Sequence, residues 1–228
     1  MFDVAAFLVF PYISLTLFVA GFVYRYFADP LNWNAKSSEL LDKGSLRWGA
    51  MIFHYGILLT FFGHAGGMLI PQSLFDAFGF SGEAHTRISI VLGIPFGLLA
   101  LTGLLWLIWR RISKTRVRVH SSVSDWAVLF LLLFVISVGF RNVLFGHYYI
   151  LDTVAPWIRS IVTFQPDPSL MKEVPWAYKL HVLGAFAFFA FSPFSRMVHA
   201  WSYPFTYLAR SFILYRRART APERHLQA

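Results

Sequence analysis

The chain has 228 residues, 57% of them hydrophobic, 19% aromatic and only 14% charged, against about 25% charged in a soluble domain. That composition excludes an ordinary water-soluble domain, and the formal charge of +9 does not mark a nucleic-acid surface, because the basic residues sit in short gaps between apolar runs. The absence of cysteine excludes thiolate-held iron–sulfur clusters, haem attached through C-x-x-C-H and disulfides, so a cofactor must be held by histidine, methionine, carboxylate or backbone.

Five apolar runs reach the roughly 20 residues that a transmembrane helix needs: 2–27, 46–70, 88–109, 124–145 and 176–208. Each is expected to be helical, since a span must satisfy its backbone hydrogen bonds internally. The first begins at Phe2 with no basic segment before it and outruns a signal-peptide core, so it reads as a retained span. The expected fold is therefore all-α, an integral membrane bundle of five transmembrane helices in one domain over residues 1–228, with 209–228 as a tail.

Lysine and arginine are unevenly distributed around these spans. Arg25, Lys36, Lys43 and Arg47 surround the first connection, Arg110, Arg111, Lys114, Arg116 and Arg118 the third, and Arg210, Arg216, Arg217, Arg219 and Arg224 lie in the tail. The other side has Arg87, Arg141, Arg159, Lys172 and Lys179. The heavier side is expected to be cytoplasmic, which puts the N-terminus outside and the C-terminus in the cytoplasm of a multi-pass cell-membrane protein. The connection from His147 to Val174 then lies outside, where Trp157, Ile158, Ile161 and Val162 recur at the spacing of a short interfacial helix.

Of eight histidines, four lie within spans. His54 and His64, in the second span, are about 15 Å apart along a helix axis and about 80° apart around it. His181 and His199, in the fifth, return to one azimuth after five turns with a rise of about 27 Å. The two spans are antiparallel, which sets His54 opposite His199 toward the cytoplasm and His64 opposite His181 toward the outside. A single intramembrane histidine is as readily a hydrogen-bond donor to a neighbouring helix. Two opposed pairs are the axial ligation of two six-coordinate b-type haems held between facing helices. Zinc fits less well, because no carboxylate or thiolate lies near these histidines in sequence to complete four ligands.

Other residues are read with this site. Gly63, Gly66 and Gly67 flank His64 and Gly56 follows His54; each permits close approach, either of a macrocycle edge or quinone ring or of a neighbouring helix. Arg196, within the fifth span, needs a partner, for which a haem propionate and a snorkelling position at the interface are both open. Saturated haems carry electrons rather than open a substrate site, and a lipid-soluble quinol is the natural donor. Its oxidation releases two protons, and His85, beside Arg87 at the depth of His64, is a candidate hydrogen-bond partner or proton acceptor; a solvated interfacial histidine is the plainer reading. The connection 28–46 and the tail, with Trp33 and Tyr215, could dock a partner or bind anionic lipid headgroups. With no cysteine in this chain, an acceptor cluster would belong to another subunit.

The segments SSELLDKGSLRWGAMIFHYGILLTFFGHAGGMLIP (37–71) and KLHVLGAFAFFAFSPFSRMVHAWSYPFTYLAR (179–210) resemble the gamma subunit, a cytochrome b, of respiratory membrane-bound nitrate reductase. The resemblance covers the five-helix plan. It implies a proximal haem on His54 and His199, a distal haem on His64 and His181, and quinol oxidation beside the distal haem at the outer face. It further implies electron transfer to an iron–sulfur beta subunit and a molybdenum-containing alpha subunit that reduces nitrate to nitrite. The family commonly places a lysine near the quinol at the start of the third helix, where GEAHTRIS here offers His85. Two other readings stay open: a related dihaem cytochrome b of a sulfur-metabolism, heterodisulfide-reductase-like or nitrite-oxidising complex, and a haem-free membrane anchor or transporter.

Overall fold

A computed structural model describes residues 1–29, 38, 43–146 and 148–200. Among them the secondary structure is helical and five helices are long and apolar enough to cross a membrane. In chain order the helices are α1 (Phe2–Ala28, with a π-helical turn at Ala5–Val9), α2 (Lys43–Leu69), α3 (Gln72–Ala77), α4 (Gly82–Ser113), α5 (Thr115–Val119), α6 (Val123–Phe145), α7 (Val154–Val162) and α8 (Trp176–Phe191). The expectation of a membrane bundle with five spans is met. Trp33, Lys36, His147, Arg210, Tyr215, Arg216, Arg217, Arg219, Arg224 and His225 lie outside the described residues.

The helix starts follow local chemistry. Ser122 and Asp125 form a reciprocal capping box that opens α6, and the Ser81 hydroxyl accepts from Ala84 at the start of α4. Pro71 and Pro175 stand at the N-caps of α3 and α8 in extended backbone. The short α3 and α5 carry too little apolar periodicity to be read from sequence.

Between α2 and α4 the backbones touch. A Cβ built on Gly56 would collide with the backbone of Ala100, and one on Gly103 with the backbone of Phe53. Lipid tails offer no hydrophobic drive for helix association, so close van der Waals approach at small residues holds this pair together. Gly56 is thus a packing residue rather than a lining for a planar ligand. Phe53, Ala100, Leu104 and Ile108 meet Val128, Leu129, Leu132 and Ile136 of α6 in a core at this level.

The helix expected near residues 157–162 is present as α7, and it is docked on the bundle. Trp157 is fully buried, its indole N–H donating to the Phe7 carbonyl at 2.9 Å, and Tyr12 donates to the Ile161 carbonyl at 3.1 Å. Lys179, buried at the start of α8, donates to the Lys172 carbonyl at 2.9 Å and lies over the rings of Phe7 and Trp176.

The expectation of one unbroken helix over 176–208 does not hold. Helix α8 stops at Phe191; the chain continues as 3₁₀ turns at Ser192–Phe194 and Arg196–Ala200, separated by an extended Ser195 with φ −126° and ψ −179°. Pro193 is the cause, since it has no N–H for the i−4 carbonyl and its ring crowds the preceding turn. Residues 201–208 lie outside the described residues.

Gly103→Ala is expected to destabilise the bundle by about 1–3 kcal/mol through overpacking, whereas Gly44→Ala, where a Cβ meets nothing within 4 Å, should be neutral or slightly stabilising. Detergent-induced unfolding of the two variants checks this; equal effects would contradict the close-packed α2–α4 seam.

Candidate functional site

Helix α2 presents His54 and His64, α8 presents His181, and the 3₁₀ turn after the Ser195 bend presents His199. The His54 and His199 ring centres are 6.0 Å apart with planes at 66°, and those of His64 and His181 are 6.0 Å apart with planes at 39°. On an unbroken α-helix, His181 and His199 would be about 27 Å apart, against about 15 Å for His54 and His64. The end of α8 and the bend at Ser195 take up that excess, so His199 comes opposite His54 through a break in the helix and not through five full helical turns.

Each ring is held in the same way. The Nδ1 atoms of His54, His64, His181 and His199 lie 2.7, 2.7, 2.9 and 2.7 Å from the carbonyl oxygens of Ala50, Thr60, Val135 and Arg196. A carbonyl only accepts, so Nδ1 carries a proton, and in the neutral form of each ring the lone pair is on Nε2. That is the tautomer of a metal-ligating histidine whose other nitrogen is engaged by an outer partner.

The 6.0 Å separations are of the size that two imidazoles would need to hold one metal ion between them, each nitrogen at about 2.0–2.1 Å from it. There is also room beside His64, since a Cβ on Gly63 or Gly66 would meet nothing within 4 Å. No group of three or more His, Cys, Asp or Glu gathers as a metal site among the described residues; the four histidines stand two by two.

The remaining sequence-chosen residues fall into different settings. A Cβ on Gly67 would lie 3.2 Å from His85 Nε2, so His85 of α4 packs against α2 one turn beyond His64. His85 is 8% exposed, its ring lies 4.5 Å from that of Phe75, and its Nδ1 is 3.3 Å from Gln72 Oε1. The solvated alternative for His85 is therefore set aside. Arg87 instead turns to the surface and pairs with Glu83 on its own helix. Arg196 forms an ion pair with Asp125, its Nε 2.8 Å from Asp125 Oδ1.

Three contributors escape the sequence reading. A Cβ on Gly139 of α6 would lie 2.8 Å from His181 Nδ1, so that ring fits only because residue 139 has no side chain. A lone glycine among large apolar residues, LLLFVISVGF, is the signal that marks it. Asp125 is legible as the end of an S-x-x-D capping pattern, although its bond to Arg196 is not. Arg159 of α7 donates to the Met68 carbonyl at 3.0 Å, closing the end of α2 just past His64.

Fold and site together define a class: an integral-membrane helical bundle in which two histidines of α2 face two of the fifth span in pairs. A family model described as nitrate reductase gamma subunit matches residues 3–218. The chain belongs to the nitrate reductase gamma subunit family. It is 42% identical to a nitrate reductase gamma chain of Bacillus subtilis, over 92% of this chain and 96% of that one. It is 35% identical to the respiratory nitrate reductase 2 gamma chain of Escherichia coli, over 92% and 95% respectively. An Hdr-like menaquinol oxidoreductase cytochrome b-like subunit of Archaeoglobus profundus is 28% identical over 66% of this chain and 45% of its own length. The protein is thus a multi-pass cell-membrane subunit for electron transfer in an oxidoreductase complex, associated there with alpha and beta subunits.

Proposed function

We propose that this subunit oxidises quinol at the outer side of the membrane. Its electrons go, by way of two bis-histidine b haems, to a cytoplasmic-side iron–sulfur beta subunit and a molybdenum-containing alpha subunit that reduces nitrate. The observation that carries the proposal is the pair of 6.0 Å imidazole separations, each ring fixed through Nδ1 by a backbone carbonyl. When bound, the haems supply one-electron transfer with no open coordination position for substrate.

The protein's own residues supply the rest. His54 and His199 hold the proximal group; His64 and His181 hold the distal one. Gln72 accepts from His85 Nδ1, which leaves His85 Nε2 as an acceptor facing Gly67. A quinol placed beside Gly66 and Gly67 can give one hydroxyl proton to that nitrogen and the other to water at the outer face, while its two electrons leave one at a time. The concentration of basic residues around the first and third connections and the tail supports a cytoplasmic position for the His54–His199 end and an outer position for the His64–His181 end. The nitrate reductase relatives match over nearly their whole length, which favours that complex over the heterodisulfide-reductase-like one.

His64→Ala and His181→Ala are each expected to remove the same haem and abolish quinol oxidation. His54→Ala and His199→Ala should remove the other and leave the survivor reducible by quinol. Reduced-minus-oxidised spectra of membranes check this, and loss of a common haem in His64→Ala and His199→Ala would contradict the pairing.

Gly139→Ala should lower occupancy of the haem lost in His181→Ala and spare the other. Equal loss of both, or of neither, would contradict a local effect on that ring.

For His85→Gln, quinol oxidation should fall about 100-fold, a typical general-base contribution, with an altered pH profile. An unchanged rate and profile would remove the proton role.

A further inference from the structure

We propose that Asp125 is a positioning residue for the proximal haem, acting through Arg196 on the ligand His199; this rests on the haem-ligation reading above. The bend after α8 is held at several points. Arg25 donates to the Pro193 carbonyl at 2.9 Å and Ser124 to the Phe194 carbonyl at 3.2 Å. Both grip the chain before Ser195. Asp125 grips it beyond the bend, on the His199 side, through the 2.8 Å contact between its Oδ1 and Arg196 Nε.

The chain of contact is short. Asp125 fixes the Arg196 side chain, and the Arg196 carbonyl, 2.7 Å from His199 Nδ1, fixes the tautomer and direction of the ligand ring. Outer partners of this kind orient a metal ligand and raise its basicity. The carboxylate is itself held on both oxygens. Its Oδ2 accepts from the Ser122 backbone N–H at 3.0 Å and lies 3.4 Å from Arg111 Nη1, and the Asp125 and Arg111 side chains are each 8% exposed. One buried anion therefore sits between two guanidinium groups, and its removal takes a negative charge from beside Arg196, three residues before His199. Positive charge there favours the reduced over the oxidised iron.

The experiment uses the intact complex in native membranes, with each haem followed by redox titration and by its low-spin ferric resonance. Asp125→Ala is expected to raise the midpoint potential and shift the resonance of the haem that His199→Ala removes, leaving the other haem and its reduction by quinol unchanged. Asp125→Glu should restore most of both. Ser122→Ala, which removes the capping hydroxyl but keeps the carboxylate, should shift neither. Asp125→Asn keeps the side-chain volume and carries the same test if Asp125→Ala does not assemble. The proposal is overturned if both haems shift alike, if neither shifts in Asp125→Ala and Asp125→Asn, or if Ser122→Ala matches them. Wild-type membranes without two haems would instead overturn the ligation reading itself.

Discussion

Two histidines ten residues apart on one helix and two others eighteen residues apart on its neighbour cannot face each other along two straight rails. The difference in helical rise is about 12 Å, and the structure meets it by ending α8 at Phe191 and turning the chain at Ser195. Other features of the proximal end follow from that bend. Helix α8 has sixteen residues and reaches only about 24 Å, short of the roughly 30 Å hydrocarbon core, and 3₁₀ turns on either side of an extended Ser195 carry the chain on from it.

Irregular backbone at membrane depth is tolerated where protein covers it and satisfies its polar groups. Arg25 from α1 and Ser124 from α6 do so at the bend, and Asp125 of α6, itself paired with Arg111 of α4, meets the Arg196 side chain beyond it. Interhelical hydrogen bonds in membranes contribute on average about 0.6 kcal/mol each, so the set holds the bend and no single member does. The distal end is built differently. There His181 leans on α6 at Gly139 and Val135, and Arg159 and His85 close around the last turn of α2. One end is fixed by charge, the other by close packing.

Composition and hydropathy made the five spans legible, because twenty apolar residues in a row have few other uses. The four histidines were legible as intramembrane polar groups, and their pairing as a consequence of antiparallel spans. The broken fifth helix was not read, although SPFSR contains the proline that ends it; the apolar run continues past Pro193 and hides the change of direction. Gly56 and Gly63 look alike in sequence, yet one meets the backbone of Ala100 and the other meets open space. That distinction depends on helix azimuth and on which neighbour stands there. Arg196 was recognised as needing a partner, but Asp125 lies 71 positions away, and no local pattern joins them.

The central claim is that this chain holds two six-coordinate haems between α2 and the fifth span. Haem b content per chain of the purified complex, with the spin state of the oxidised iron, tests it most directly. Two haems per chain are expected, both low-spin ferric. One haem or none, or a high-spin five-coordinate iron in the wild-type protein, would contradict it.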